Sequence, residues 1–147
     1  MVARDAQLEI ETPRGVKVLA IILFLFSALA FFGSLFLWGQ GVIFNPPIDV
    51  DLSYPITDLL VNAPASLIAA VGLWRMKRFG YVASQFVAGF YLYASVEIFV
   101  DLWQHGAPST GELYAILIPQ ILAVMVAILL VGYLWTVQDR FFKDSPS

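Results

Sequence analysis

Residues 18–38 read VLAIILFLFSALAFFGSLFLW, 21 consecutive positions without a charged side chain. At about 1.5 Å of rise per residue, a helix of that length matches the ~30 Å hydrocarbon core of a bilayer. No water reaches that depth to hold backbone N–H and C=O groups, so the stretch must close its own hydrogen bonds as a helix. Three further runs obey the same logic. Tyr81 to Trp103 and Leu113 to Trp135 each close on a tryptophan, and Ile56 to Trp74 carries Asp58, Asn62 and Pro64 but is apolar from Ala63 inward apart from Ser66.

Composition agrees with that reading. Of the 147 residues, 60% are hydrophobic and 13% charged, and the charges collect in short stretches between the apolar runs. Lipid is therefore the expected solvent for most of the surface. The predicted fold class is all-α: one membrane domain, 1–147, forming a transmembrane four-helix up-down bundle with spans at about 18–38, 56–74, 81–103 and 113–135. Residues 1–17 and 136–147 are expected as flanking segments. The short connections after the second and third spans make antiparallel neighbours of spans two and three, and of three and four. The absence of cysteine excludes disulfides, thiolate metal sites, c-type haem attachment and cysteine nucleophiles. A net charge of −3, with no basic run longer than Arg75-Met76-Lys77-Arg78, argues against nucleic acid as a partner.

Orientation follows from the cations. Arg4, Arg14 and Lys17 precede span one; Arg75, Lys77 and Arg78 join spans two and three; Arg140 and Lys143 follow span four. The two opposite connections hold no Lys or Arg, only acids such as Asp49, Asp51, Asp58, Asp101 and Glu112 with the lone His105. By the positive-inside rule both termini are cytoplasmic, and the expected location is the cell inner (cytoplasmic) membrane, multi-pass. A cleavable signal competes for span one, with Ala28-Leu29-Ala30 as a cleavage-like site. The apolar run continues through Phe31 to Trp38, and Asp5, Glu9 and Glu11 precede it, which favours a span.

The connection Gly39 to Tyr54 carries Asn45-Pro46-Pro47, which cannot continue a helix and is expected to lie over the outer mouth of the bundle. Leu37-Trp38-Gly39-Gln40-Gly41 is faintly echoed by Leu102-Trp103-Gln104-His105-Gly106, each followed by a span bearing a proline. In span two, the pairs Ala65 with Ala69 and Ser66 with Ala70 let backbones approach closely, which predicts a central place for that helix. Span one distributes Phe24, Phe26, Phe31, Phe32 and Phe36 around its circumference, as on a helix facing lipid or a partner.

Polar residues inside the spans are few. Asn62, Glu97 and Gln120 each lie six or seven residues inside an outer boundary, about 9 to 10 Å deep. They form a candidate layer. Pro64 and Pro119 should leave the carbonyls of Leu60 and Ala115 free near that depth. Glu97 also opens a row at i, i+4 and i+8 with Asp101 and His105, which Tyr93 extends one turn deeper. The candidate ligand- or ion-binding residues are therefore Glu97, Asn62, Gln120, Tyr93, Asp101 and His105. Glu97 can handle a proton or cation, or simply serve as an interhelical hydrogen-bond donor to Asn62 or Gln120. One histidine without cysteine is a poor metal set, and no serine stands in a nucleophile setting, so no metal, cofactor or enzymatic activity is expected.

The segments Pro13-Arg14-Gly15-Val16-Lys17-Val18-Leu19-Ala20 and Gly72-Leu73-Trp74-Arg75-Met76-Lys77-Arg78-Phe79-Gly80 resemble a pattern in uncharacterised small four-helix integral membrane proteins of bacteria and archaea. The resemblance implies a prokaryotic inner membrane and no particular activity. Three functions are weighed on this basis. The first is a non-enzymatic subunit or scaffold of a larger membrane assembly, its partners being membrane lipid and another membrane protein or a second copy of itself. The second is a small proton- or cation-coupled transporter in which Glu97 binds the ion and Asn62, Tyr93 and Gln120 line the pocket. An enzyme built on Asp101 and His105 comes last.

Overall fold

A computed structural model of the chain describes residues 12–41, 53–106 and 109–142. Every element in these residues is helical: α1 (Arg14–Gly39), α2 (Ser53–Thr57), a π-helical turn (Asp58–Asn62), α3 (Ala63–Trp74), α4 (Arg78–His105), α5 (Thr110–Thr136) and the short α6 (Asp139–Phe142). Four stretches are long and apolar enough to cross a membrane, namely Arg14–Gly39, Pro55–Trp74, Arg78–His105 and Ile116–Thr136. The chain is thus built as a multi-pass membrane protein. The connection with Asn45-Pro46-Pro47, expected over the outer mouth, lies outside the described residues.

The second stretch joins α2, the π-helical turn and α3. Pro64 has no N–H to give, so the ladder ahead of it is reset: the Ala63 N–H bonds the carbonyl of Asp58, five residues back. Help comes from α1, where the Ser27 hydroxyl donates to the Ala63 carbonyl at 2.7 Å and that of Ser34 to the Pro55 carbonyl at 2.9 Å. Pro119, by contrast, sits inside α5 without interrupting it. The two prolines look alike in sequence and have different effects.

Helix packing follows stripes of small or branched residues at spacings of three and four. In α1 the buried stripe is Val16, Leu19, Leu23, Ser27, Ala30 and Ser34, and in α4 it is Gly80, Ser84, Val87, Tyr91 and Ser95. Those mean spacings, 3.6 residues in α1 and 3.75 in α4, keep one seam of each helix against its neighbour. As its small residues predict, α3 lies between α1 and α4, with Ser66, Ala69, Ala70 and Gly72 all buried. α5 packs on α4, and touches α1 more sparsely. Four of the five phenylalanines of α1 named above face outward, while Phe26 turns in against Tyr91 with ring centroids 5.5 Å apart.

One end of the bundle gathers the cations. α3 closes with the Lys77 N–H on the Gly72 carbonyl and the Met76 N–H on the Leu73 carbonyl, Met76 taking the left-handed conformation (φ 51°) that glycine usually supplies at such a cap. The chain can turn this tightly because Gly72 and Gly80 meet backbone to backbone, leaving no room for a Cβ on either. Gly15 likewise lies against the Tyr133 ring. Beyond α5 the chain folds back, burying Phe141 beside Tyr81 and setting Phe142 under the Arg78 guanidinium, 5.1 Å from the ring centroid. The first part of the expected tail is thereby docked on the basic turn between α3 and α4.

Candidate functional site

Toward the other end, polar side chains assemble between α1, the π-helical turn, α3 and α4. Asp58, Asn62 and Ser66 recur every four residues and so share one face of the second span. The Asn62 amide nitrogen donates to the Asp58 carboxylate at 2.8 Å, and the Ser66 hydroxyl donates to the Asn62 amide oxygen at 3.0 Å. Ser66 also lies 3.0 Å from the Tyr91 hydroxyl. A serine hydroxyl carries one proton, and here Asn62 receives it, so Tyr91 is the donor in that last bond. The result is a directed chain, Tyr91 to Ser66 to Asn62 to Asp58, with every proton pointing toward the carboxylate.

Burial is greatest at the tyrosine end and least at the carboxylate end. Asp58 and Asn62 are half-buried, whereas Ser66 is fully enclosed and Tyr91 is 3% exposed. Tyr91 lies about 20 Å along α4 from Arg78. Nearer the basic end Leu23, Leu73, Ala88 and Leu130 are buried, and the part-buried Gln85 of α4 donates its side-chain amide to the Leu130 carbonyl at 3.3 Å. Ser84, on that side, bonds the Gly80 and Tyr81 carbonyls of its own helix. The amide in the middle of the chain matters chemically, since an amide can reorient its hydrogen bonds but does not hand a proton through itself. The polar set is a half-depth, self-satisfied network; among the described residues no buried side-chain N or O lacks a partner.

The residues singled out from sequence are distributed rather than gathered. Asn62 belongs to the network above. Gln120 belongs to a second, separate contact, accepting from Ser95 at 3.1 Å between α5 and α4. Glu97 joins neither, being exposed on the outer surface of α4, and Tyr93 is 68% exposed one turn before it. Asp101 and His105 pair at 2.9 Å on that same outward row. No third ligand joins them: among the described residues no three His, Cys, Asp or Glu side chains converge. Asp49 and Asp51 lie outside the described residues, and the Ser27 bond runs to the Ala63 carbonyl rather than that of Leu60.

Rotation rather than level separates Glu97 from Asn62 and Gln120: Ser95, two residues before it, bonds Gln120, so Glu97 stands within about one turn of that level but on the exposed side of α4.

Sequence reasoning missed Tyr91, Ser66 and Asp58 as members of one network. The signal was present in the Gly80, Ser84, Ala88, Tyr91, Ser95 stripe, which marks the inward face of α4 and leaves the Tyr93 row on the outside. Compared with protein-family models, with curated proteins and with solved structures, the chain matches none.

Proposed function

We propose that the protein is a non-enzymatic subunit or scaffold of a larger membrane assembly. It stands in a prokaryotic inner membrane as an up-down bundle with both termini cytoplasmic. The topology is supported by paired contacts whose numbers run in opposite directions: Ser27 with Ala63 and Ser34 with Pro55, Ser66 with Tyr91 and Gly72 with Gly80, Ser95 with Gln120 and Tyr81 with Gln138. The orientation rests on the cations at one end and the positive-inside rule.

One observation carries the functional reading. Among the described residues every buried side-chain N or O is hydrogen-bonded within the bundle, while α1 presents Leu29, Phe32 and Phe36, each 66% exposed or more, to the outside. The interior serves helix association, and the outward face of α1 is free for a partner. A photo-cross-linking residue placed at Phe32 or Phe36 in the full chain should capture one protein of discrete mass in cells, and the same residue at Phe26 should capture none. Products containing only lipid or only this chain would count against a subunit role.

A second reading, a small proton- or cation-coupled transporter, draws on the π-helical turn at Asp58–Asn62, since such turns recur at functional sites. It moves the ion-binding role from Glu97 to Asp58. Vesicles loaded with a pH or cation dye would show uptake that Asp58→Asn abolishes and Glu97→Gln leaves intact.

A further inference from the structure

At the basic end, between α1 and α3, lies a groove of about 350 Å³ that opens sideways into the membrane. Its floor is made by Ala20 and Ala70, both nearly fully buried, where the lack of a longer side chain creates the space. Ile21 and Phe24 form one wall and Val71 the other, all exposed on the sides that line it. Trp74 and Arg75 stand at the mouth. Lys17 lies one turn before Ile21 on the same face of α1, toward the basic end and just beyond the residues that line the groove. Neither cation is in an ion pair among the described residues; the single pair there, Asp101 with His105, is on α4 at the far end.

We propose that this groove is a binding site for an anionic phospholipid, one acyl chain lying on the alanine floor and the headgroup phosphate held between Lys17 and Arg75. An apolar slot within the bilayer and two cations at its interfacial end complement both parts of such a molecule, and an interfacial tryptophan sets the depth at which they meet. A zwitterionic lipid fills the slot without the gain at the mouth. A second copy of this chain, inserted in the same orientation, brings its own cations to the same level and is repelled there. The site differs from the partner surface of the subunit reading in depth: Lys17, Ile21 and Phe24 lie at the basic end of α1, eight residues or more before Phe32 and Phe36.

The test uses the full chain with Trp38, Trp103 and Trp135 replaced by Phe, so that Trp74 alone fluoresces, in phosphatidylcholine vesicles. Brominated phosphatidylglycerol should quench Trp74 at a mole fraction roughly 25-fold lower than brominated phosphatidylcholine, about fivefold for each cation near the surface. A companion protein keeping only Trp135, exposed at the end of α5, reports the general enrichment of anionic lipid around the basic end and should show a clearly smaller preference. Lys17→Gln with Arg75→Gln should bring the Trp74 preference down to the Trp135 level; should that protein not insert, Arg75→Gln alone should lower it about fivefold. Equal quenching of Trp74 by the two lipids, or a preference untouched by these substitutions, overturns the proposal. So does shielding of Trp74 from both lipids, the outcome for a groove filled by a second copy or a partner helix.

Discussion

Two rows of polar side chains run along this bundle at the same four-residue spacing, and the fold treats them in opposite ways. Asp58, Asn62 and Ser66 face inward and bond each other and Tyr91. Tyr93, Glu97, Asp101 and His105 face outward on α4, where the one bond among them joins Asp101 to His105. Tyr91 and Tyr93 are two residues apart on one helix, about 200° around its axis, at 3% and 68% exposure. Polarity did not choose between the rows. What chose was the stripe of small residues that lets α4 approach α3, with Gly80 against Gly72 at its start.

The largest expected effect tests that choice directly. Gly80→Ile must push α4 from α3 and should lower stability by about 3 kcal/mol or more in reversible unfolding from mixed micelles. Gly89→Ile, in open space on the outward face of the same helix, should cost less than about 0.5 kcal/mol or stabilise slightly. Similar losses for both would mean that the glycine contact does not set the inward face.

Next in size is the contrast between the rows. Asn62→Leu removes the donor to Asp58 and the acceptor of Ser66, and should cost about 2 kcal/mol; Glu97→Leu should change stability by under about 0.5 kcal/mol. A greater loss at Glu97 would place the structural polar group on the wrong helix face. Within α4 the comparison narrows to one hydroxyl. Tyr91→Phe should cost about 1 kcal/mol through the Ser66 bond, with Tyr93→Phe indistinguishable from the parent chain.

The smallest effect concerns Asp101 and His105, whose side chains are 61% and 72% exposed. Asp101→Asn should shift stability by about 0.3 kcal/mol at low salt and by nothing measurable at high salt, because an exposed i, i+4 pair is weak and screened. A salt-insensitive loss would mean that the pair bonds something more than water.

Four membrane-crossing helices were legible in the chain because lipid forces each apolar run of that length to satisfy its backbone alone, and residues 18–38 admit no other solution. The central position of α3 was legible too, from Ala65, Ser66, Ala69 and Ala70, since small residues reveal where helices can come close. Rotation was not. Depth counted from Trp103 placed Glu97 level with Asn62 and Gln120, and Ser95, two residues before it, does bond Gln120, yet only packing decides which way each row turns. Pro64 and Pro119 carry the same local chemistry, yet only Pro64 follows a π-helical turn, beside which the Ser27 hydroxyl of a neighbouring helix bonds the Ala63 carbonyl. Chain-local constraints therefore wrote the spans, and contacts between helices, which no single segment contains, decided which polar groups meet.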